Sequence, residues 1–281
     1  MTERIFIVFQ YLLPKRALGR VVYRLTRTRV KWLKNRLIRL FVRWFPVDLT
    51  EMAVDDPCAF ASFNEFFIRD LKPGARPVDP DSRTVCCPAD GVIQQLGRIE
   101  SGQLLQAKGI NYALERLLDI DAEAAARFDG GQFLTIYLAP HNYHRVHAPS
   151  AGRVRQMNFV PGQLFSVNAT TARHIRGLFA RNERVAYYCA DAQLEYWLVF
   201  VGAMNVASIS TAWSGEIVPE RARRQTRYPH QDAYALDRGD YCGHFNMGST
   251  VIIVYPPGTV TWNSDLRAGD EVRTNQIIGR L

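Results

Sequence analysis

The chain has 281 residues, 47% of them hydrophobic and 22% charged, enough for one large domain or two modest ones with an ample core. Its five cysteines, Cys58, Cys86, Cys87, Cys189 and Cys242, are odd in number and form no C-x-x-C pair, which argues against a disulfide framework or a zinc knuckle and points to a reducing compartment. The net charge of +8 sits at one end: residues 1–45 hold twelve Lys and Arg against Glu3 alone, a net of +11, while the other 236 residues carry 23 basic and 26 acidic side chains, a net of −3.

Residues 5–13 form an apolar run broken only by Gln10 and closed by Pro14. It is shorter than the roughly 20 residues that cross a bilayer. No small-residue cleavage site follows, and Lys15, Arg16 and Arg20 stand where a signal peptide has none, so the segment reads as uncleaved. Over residues 20–45, Val22, Leu25, Val30, Leu33, Leu37, Leu40, Phe41 and Trp44 recur at helical spacing, with Arg24, Arg27, Lys31, Lys34, Arg39 and Arg43 on the other faces. A helix of this kind lies in the plane of an anionic membrane surface, each basic residue adding about 1 kcal/mol. A basic helix on nucleic acid and a helix packed on its own domain compete with this reading, but the stripe is too aromatic for a pure phosphate binder.

Pro46 ends the helix and residues 48–57 form an acidic connector. Ser62 followed by Glu65 is a capping box that predicts a short helix over 62–69, and the K-P-G-A-R-P run within 71–80 is a turn-rich linker. The boundary falls near residue 80, between a basic helical region with its linker (1–80) and a β-rich body (81–281). Strands are predicted at 92–93, 133–138, 153–159, 184–188, 196–201, 206–210, 216–218, 251–255 and 277–281, with helices at 112–118 and 170–180. The fold class is therefore α+β: N-terminal amphipathic helices, then a sandwich- or barrel-like body.

Four groups of residues could carry chemistry. Gly248-Ser249-Thr250 runs straight into the apolar strand 251–255, and a hydroxyl following a glycine can attack the glycine carbonyl, which no Cβ shields; the plain alternative is a turn before a strand. Asp90, in P-A-D-G, is either a turn residue or a carboxylate that orients a histidine. His141, His144 and His147, between Pro140 and Pro149, could bind a metal, divide into a base and a proton donor, or line a surface turn. Asp90, His147 and Ser249 supply the residue types of a triad, though no G-x-S-x-G elbow accompanies Ser249.

Seven segments, in order, carry a resemblance: F-N-E-F-F at 63–67 with L-K-P-G-A-R-P at 71–77, P-A-D-G at 88–91, Q-A-K-G at 106–109, Y-H-R-V-H at 143–147, P-G-Q-L-F-S-V-N at 161–168, L-F-A-R-N-E-R at 178–184 and G-S-T at 248–250. From about Phe63 to the C-terminus the chain resembles the bacterial phosphatidylserine decarboxylase proenzymes, and its basic N-terminal region is similar in character. The family's cleavage motif usually reads L-G-S-T; Met247 replaces the Leu here, a volume-conserving change that should leave processing intact. His141 stands where the family more often carries an acidic residue.

The resemblance implies that His147, oriented by Asp90, deprotonates Ser249, whose Oγ attacks the Gly248 carbonyl. Elimination then yields a chain of residues 1–248 and a chain of residues 249–281 that begins with a pyruvoyl group. That group is the implied cofactor, with no metal and no pyridoxal phosphate; it forms a Schiff base with the substrate amine and acts as electron sink, while His144 resembles the proton donor. The implied partner is phosphatidylserine in an anionic membrane, with the two chains held as a heterodimer that could dimerise further, no nucleic acid, and a peripheral place on the cytoplasmic side of the inner membrane. A serine hydrolase using the same three residues and a non-catalytic membrane-binding protein are the rival readings.

Overall fold

The computed structural model describes residues 3–204, 208–217, 222–229 and 233–281. Eight strands matter for the site: β1 (Gly91–Arg98), β2 (Gln132–Leu138), β3 (Arg145–His147), β4 (Gly152–Val160), β5 (Arg184–Ala190), β6 (Glu195–Gly202), β7 (Tyr241–Phe245) and β8 (Ser249–Tyr255). β8 reads S-T-V-I-I-V-Y and is buried at all seven positions. A β-branched run of that kind suits a strand covered on both faces.

β8 is a central strand of a nine-stranded antiparallel sheet in which eight strands run Arg224–Arg227, β4, β5, β6, β8, β2, β1, Glu271–Val272 and the ninth, Ala235–Leu236, pairs with β4 off that path. Its first residue, Ser249, lies opposite Leu138 of β2 on one side and Gly202 of β6 on the other. A four-stranded sheet packs nearby in the order Gly215–Ile217, Ile209–Thr211, β7, β3. The large sheet ends in two separate edge strands, so the body is layered and not a closed barrel. The strands expected at 206–210 and 216–218 are described as Ile209–Thr211 and Gly215–Ile217, and Val206 and Val218 lie outside the described residues.

The N-terminal region holds α1 (Glu3–Leu12), α2 (Lys15–Thr26), α3 (Lys31–Trp44) and, after the connector, the short α4 (Phe63–Phe67). The single helix expected over 20–45 is two, broken at 27–30. Thr26 turns its hydroxyl back to the carbonyls of Val22 and Tyr23, and Val30 is extended before α3. The serine half of the expected capping box of α4 forms, with Ser62 Oγ accepting from the Glu65 N–H at 3.1 Å, while the Glu65 carboxylate accepts from the Ala61 N–H, one residue before the cap.

The apolar stripe of α3 is shared between two environments. Ile38 is fully buried, and Leu37 and Phe41 pack against Phe63, Phe66 and Phe67 of α4. Trp32 and Trp44 stay exposed, as do Leu12, Leu18, Val21 and Leu25 on the preceding helices. Among the described residues no helix is long and apolar enough to cross a membrane.

Candidate active site

Antiparallel pairing brings the expected residues to one end of the large sheet. Ser249 begins β8 beside Leu138, and the chain that leaves β2 at Leu138 carries His141, His144 and His147. Asp90 immediately precedes β1, the next strand beyond β2. Gly91, the other half of the Asp-Gly pair, opens that strand and does not close a hairpin turn. A Cβ there would lie 2.3 Å from the Tyr137 carbonyl oxygen, so the close approach of β1 to β2 beside Asp90 requires glycine. Gly248 is different: a Cβ there would meet nothing within 4 Å, and the fold itself makes no demand for glycine.

Ser249 is 1% exposed and its Oγ has no hydrogen-bond partner. His147 is close to Asp90 in the fold, since its N–H donates to the Pro88 carbonyl at 2.8 Å. The imidazole, however, is held by other groups. Nδ1 lies 2.8 Å from the Gly239 carbonyl, which can only accept, so Nδ1 carries the proton and Nε2 offers its lone pair to the Tyr143 hydroxyl at 3.1 Å. Burial lowers the His147 pKa, with Arg145 adding to the effect and the Gly239 carbonyl and the charge of Asp90 opposing it.

The Asp90-to-His147 hydrogen bond expected of a relay is not formed. Arg76 holds the Asp90 carboxylate through two bonds, Nε to Oδ1 at 3.1 Å and Nη2 to Oδ2 at 2.6 Å, and the Thr274 N–H donates to Oδ1 at 2.7 Å. A bidentate guanidinium and a buried amide thus occupy both carboxylate oxygens. What reaches His147 from Asp90 is its charge, which raises the imidazole pKa against the effect of burial.

His144 is fully buried and stacks on Phe67, ring centres 4.0 Å apart. Burial, then the nearby charge of Arg69, push its pKa down to about 3. Nε2 is 3.3 Å from the Pro140 carbonyl and Nδ1 has no partner. The histidines at 144 and 147 thus face different surroundings, and among the described residues no group of three or more His, Cys, Asp or Glu could hold a metal ion.

Residues 64–70 organise this end of the molecule, a role that the sequence did not reveal. Asn64 Nδ2 donates to the Asn246 carbonyl at 3.0 Å, two residues before the Gly248–Ser249 bond, and Met247 packs against the aromatic cluster of α4. Phe67 stacks on His144, Arg69 donates to the His141 carbonyl at 2.9 Å, and Arg145 of β3 reaches back to the Ile68 carbonyl and to Asp70. Asn246 is anchored from its other side by Ser208 and Ser210. The F-N-E-F-F motif was visible in the sequence, but nothing local to it says that its aromatic face meets residues near 144 and 247.

A buried, unpartnered serine hydroxyl at the head of a strand, with a histidine whose Nδ1 is held by a carbonyl and a second, fully buried histidine on the adjoining segment, is a set of residue types from which an enzyme site can be built. The comparisons give the class a name. The family model described as phosphatidylserine decarboxylase matches residues 63–280, and a second model, PSD, matches residues 5–46. Among similar curated proteins, the phosphatidylserine decarboxylase proenzyme of Ectopseudomonas mendocina (strain ymp) is 47% identical over 282 residues, covering 99% of both chains. The proenzyme of Bordetella pertussis (strain Tohama I) is 49% identical over 265 residues, 92% of this chain and 89% of its own, and that of Pseudomonas fluorescens (strain Pf-5) 46% over 282 residues, 99% and 98%. The chain belongs to the phosphatidylserine decarboxylase family.

Proposed function

We propose that this chain cuts itself between Gly248 and Ser249 and then decarboxylates phosphatidylserine to phosphatidylethanolamine and CO₂. The observation that carries the reading is the Gly248–Ser249 junction, in a chain that matches the family along nearly its whole length: the hydroxyl is buried and unpartnered at the head of the central strand, and the glycine before it answers no need of the fold.

His147 is the base. Its Nδ1–H is fixed on Gly239, so Nε2 takes the Ser249 proton while the Tyr143 hydroxyl gives way, and the charge of Asp90 supports the imidazolium that forms. Ser249 Oγ bonds to the Gly248 carbonyl carbon, the Gly248–Ser249 C–N bond breaks as the imidazolium returns its proton to the departing nitrogen, and the peptide becomes an ester. Loss of the Ser249 α-proton expels the Gly248 carboxylate and ends the chain of residues 1–248. The dehydroalanine left at 249 takes up water and releases ammonia, giving a pyruvoyl group at the start of residues 249–281.

The residues fit such a group. The Oγ that would be lost has no bond to break, and Thr250 Oγ1 and His144 Nδ1 are buried with unused hydrogen-bonding capacity. When present, the group supplies a carbonyl that accepts electron density as CO₂ leaves. β8 remains paired to β2 and β6 along its length after the cut, so residues 249–281 stay in the sheet and the product is a two-chain heterodimer. His144, neutral in the uncut chain, acquires a proton when an anionic headgroup comes beside it, and returns that proton to the substrate carbon. The exposed apolar and basic residues of α1 to α3 hold the molecule on an anionic membrane as a peripheral protein, on the cytoplasmic face. Residues 1–80 and 81–281 then divide into a membrane-binding region with its linker and a catalytic body.

The test is CO₂ release from carboxyl-labelled phosphatidylserine in anionic vesicles. Release by cut wild-type protein is the expected result, and cut protein that hydrolyses an ester of the lipid without releasing CO₂ contradicts the reading.

A further inference from the structure

A cavity of roughly 460 Å³ opens beside the histidine segment, with Asp90, Ala139, Asn142 and Arg69 among its walls. Ala139 follows Leu138, the residue that pairs with Ser249, so the cavity adjoins the site. Arg69 is its unusual component. The side chain is 3% exposed, rests on the Phe66 ring, and donates from Nη2 to the His141 carbonyl, yet Nε and Nη1 have no acceptor among the described residues. The other arginines of the wall are engaged: Arg76 holds Asp90 and Glu51, and Arg273 holds Glu51, through ion pairs of 2.6 to 2.8 Å. A buried cation with idle donors is costly to the fold, and an anion that enters the cavity relieves the cost.

We infer that Arg69 is the residue that recognises the phosphodiester of the substrate headgroup. The headgroup has two anions, and the chemistry distinguishes them. A guanidinium bound to the carboxylate would stabilise the ground state and lose its partner as CO₂ departs, which slows the reaction. The phosphodiester keeps its charge throughout, so holding it orients the substrate at no expense to the transition state. It also lies three bonds from the carbon that His144 reprotonates, and Arg69 is near enough to His144 for its charge to bear on the imidazole. Burial lowers the Arg69 pKa to about 10, which leaves it a cation at neutral pH.

This assignment rests on the proposed decarboxylation. Short-chain phosphatidylethanolamine, the product, keeps the phosphodiester and lacks the carboxylate, so its affinity reads the contact apart from turnover. By calorimetry on protein shown by mass to be cut, Arg69→Gln should bind it roughly ten- to a hundredfold more weakly than wild type, and Arg69→Lys should fall between, because an ammonium lacks the fork. The KM for phosphatidylserine should rise in Arg69→Gln by a similar factor. In wild-type protein, which needs no variant to fold, the product with its phosphodiester methylated to a neutral triester should bind more weakly by a comparable factor. Equal binding of the neutral and anionic products by wild type overturns the assignment. So does wild-type product affinity in Arg69→Gln, including the case where only phosphatidylserine binding is lost, since that outcome places Arg69 on the carboxylate. A wild type that neither cuts nor binds the product refutes the decarboxylase reading itself; one that cuts, binds the product and is indifferent to Arg69 refutes this assignment alone.

Discussion

At His147 the environment favours the neutral imidazole, and the sign of the pH dependence follows from that. A base must be unprotonated to take the Ser249 proton, and a pKa lowered from 6.5 keeps it unprotonated further into acid. The rate constant for self-cleavage, followed by gel after freshly made chain is shifted between buffers, should therefore hold its plateau through pH 6.5 and decline only below it. An inflection above pH 6.5 would show that a different group, or a His147 held as imidazolium, controls the cut. Asp90 and Arg76 show how little of such detail a sequence carries. An Asp-Gly pair can be read as a turn or as a carboxylate partner for histidine, but the guanidinium that claims the carboxylate comes from a linker fourteen residues earlier, and only the folded arrangement decides between Arg76 and His147.

Among the elements, β8 was the most legible, because its β-branched run is long and unbroken and the serine lies at the edge of that run. The extra paired residues, Ser249 and Thr250, come from neighbours on both sides that no local pattern reveals. The break between α2 and α3 was hidden for a related reason: the helical periodicity continues across 27–30, while Arg27 is drawn away to an ion pair with Glu216 at 2.9 Å. The N-terminal helices present Val21, Trp32 and Trp44 to solvent among exposed arginines. Binding to anionic vesicles should weaken as salt is raised and level off above zero, since charge is screened but apolar burial is not. A flotation assay across a salt series checks this, and equal binding to neutral and anionic vesicles at low salt would contradict it.

Across the whole molecule, the α+β class and the motifs that hold Asp90, His144, His147 and Ser249 could be read from the sequence, whereas the cavity beside Arg69 and the clamp made by residues 64–70 could not, because both depend on contacts between segments far apart in the chain. Stability also carries a signature of burial. Glu183 is buried where β5 begins, and desolvation raises its pKa from 4.5 to about 7, with Arg16 opposing. Between those values the unfolded chain ionises this carboxyl and the folded chain does not, so stability falls as pH rises through the window and stays reduced above it. Glu183→Gln should stabilise the fold by up to about 3 kcal/mol at pH 8 and by almost nothing at pH 4. Urea unfolding in the Ser249→Ala background, where one intact chain is expected, measures this, and an equal effect at both pH values would contradict it.

The intact mass of the purified protein bears most directly on the self-cleaving decarboxylase. Two chains are expected, residues 1–248 ending in an ordinary carboxylate and residues 249–281 with a pyruvoyl group in place of the N-terminal serine, and a single uncut chain is expected for Ser249→Ala. A wild-type sample that shows only the full-length chain while it decarboxylates phosphatidylserine would contradict the mechanism.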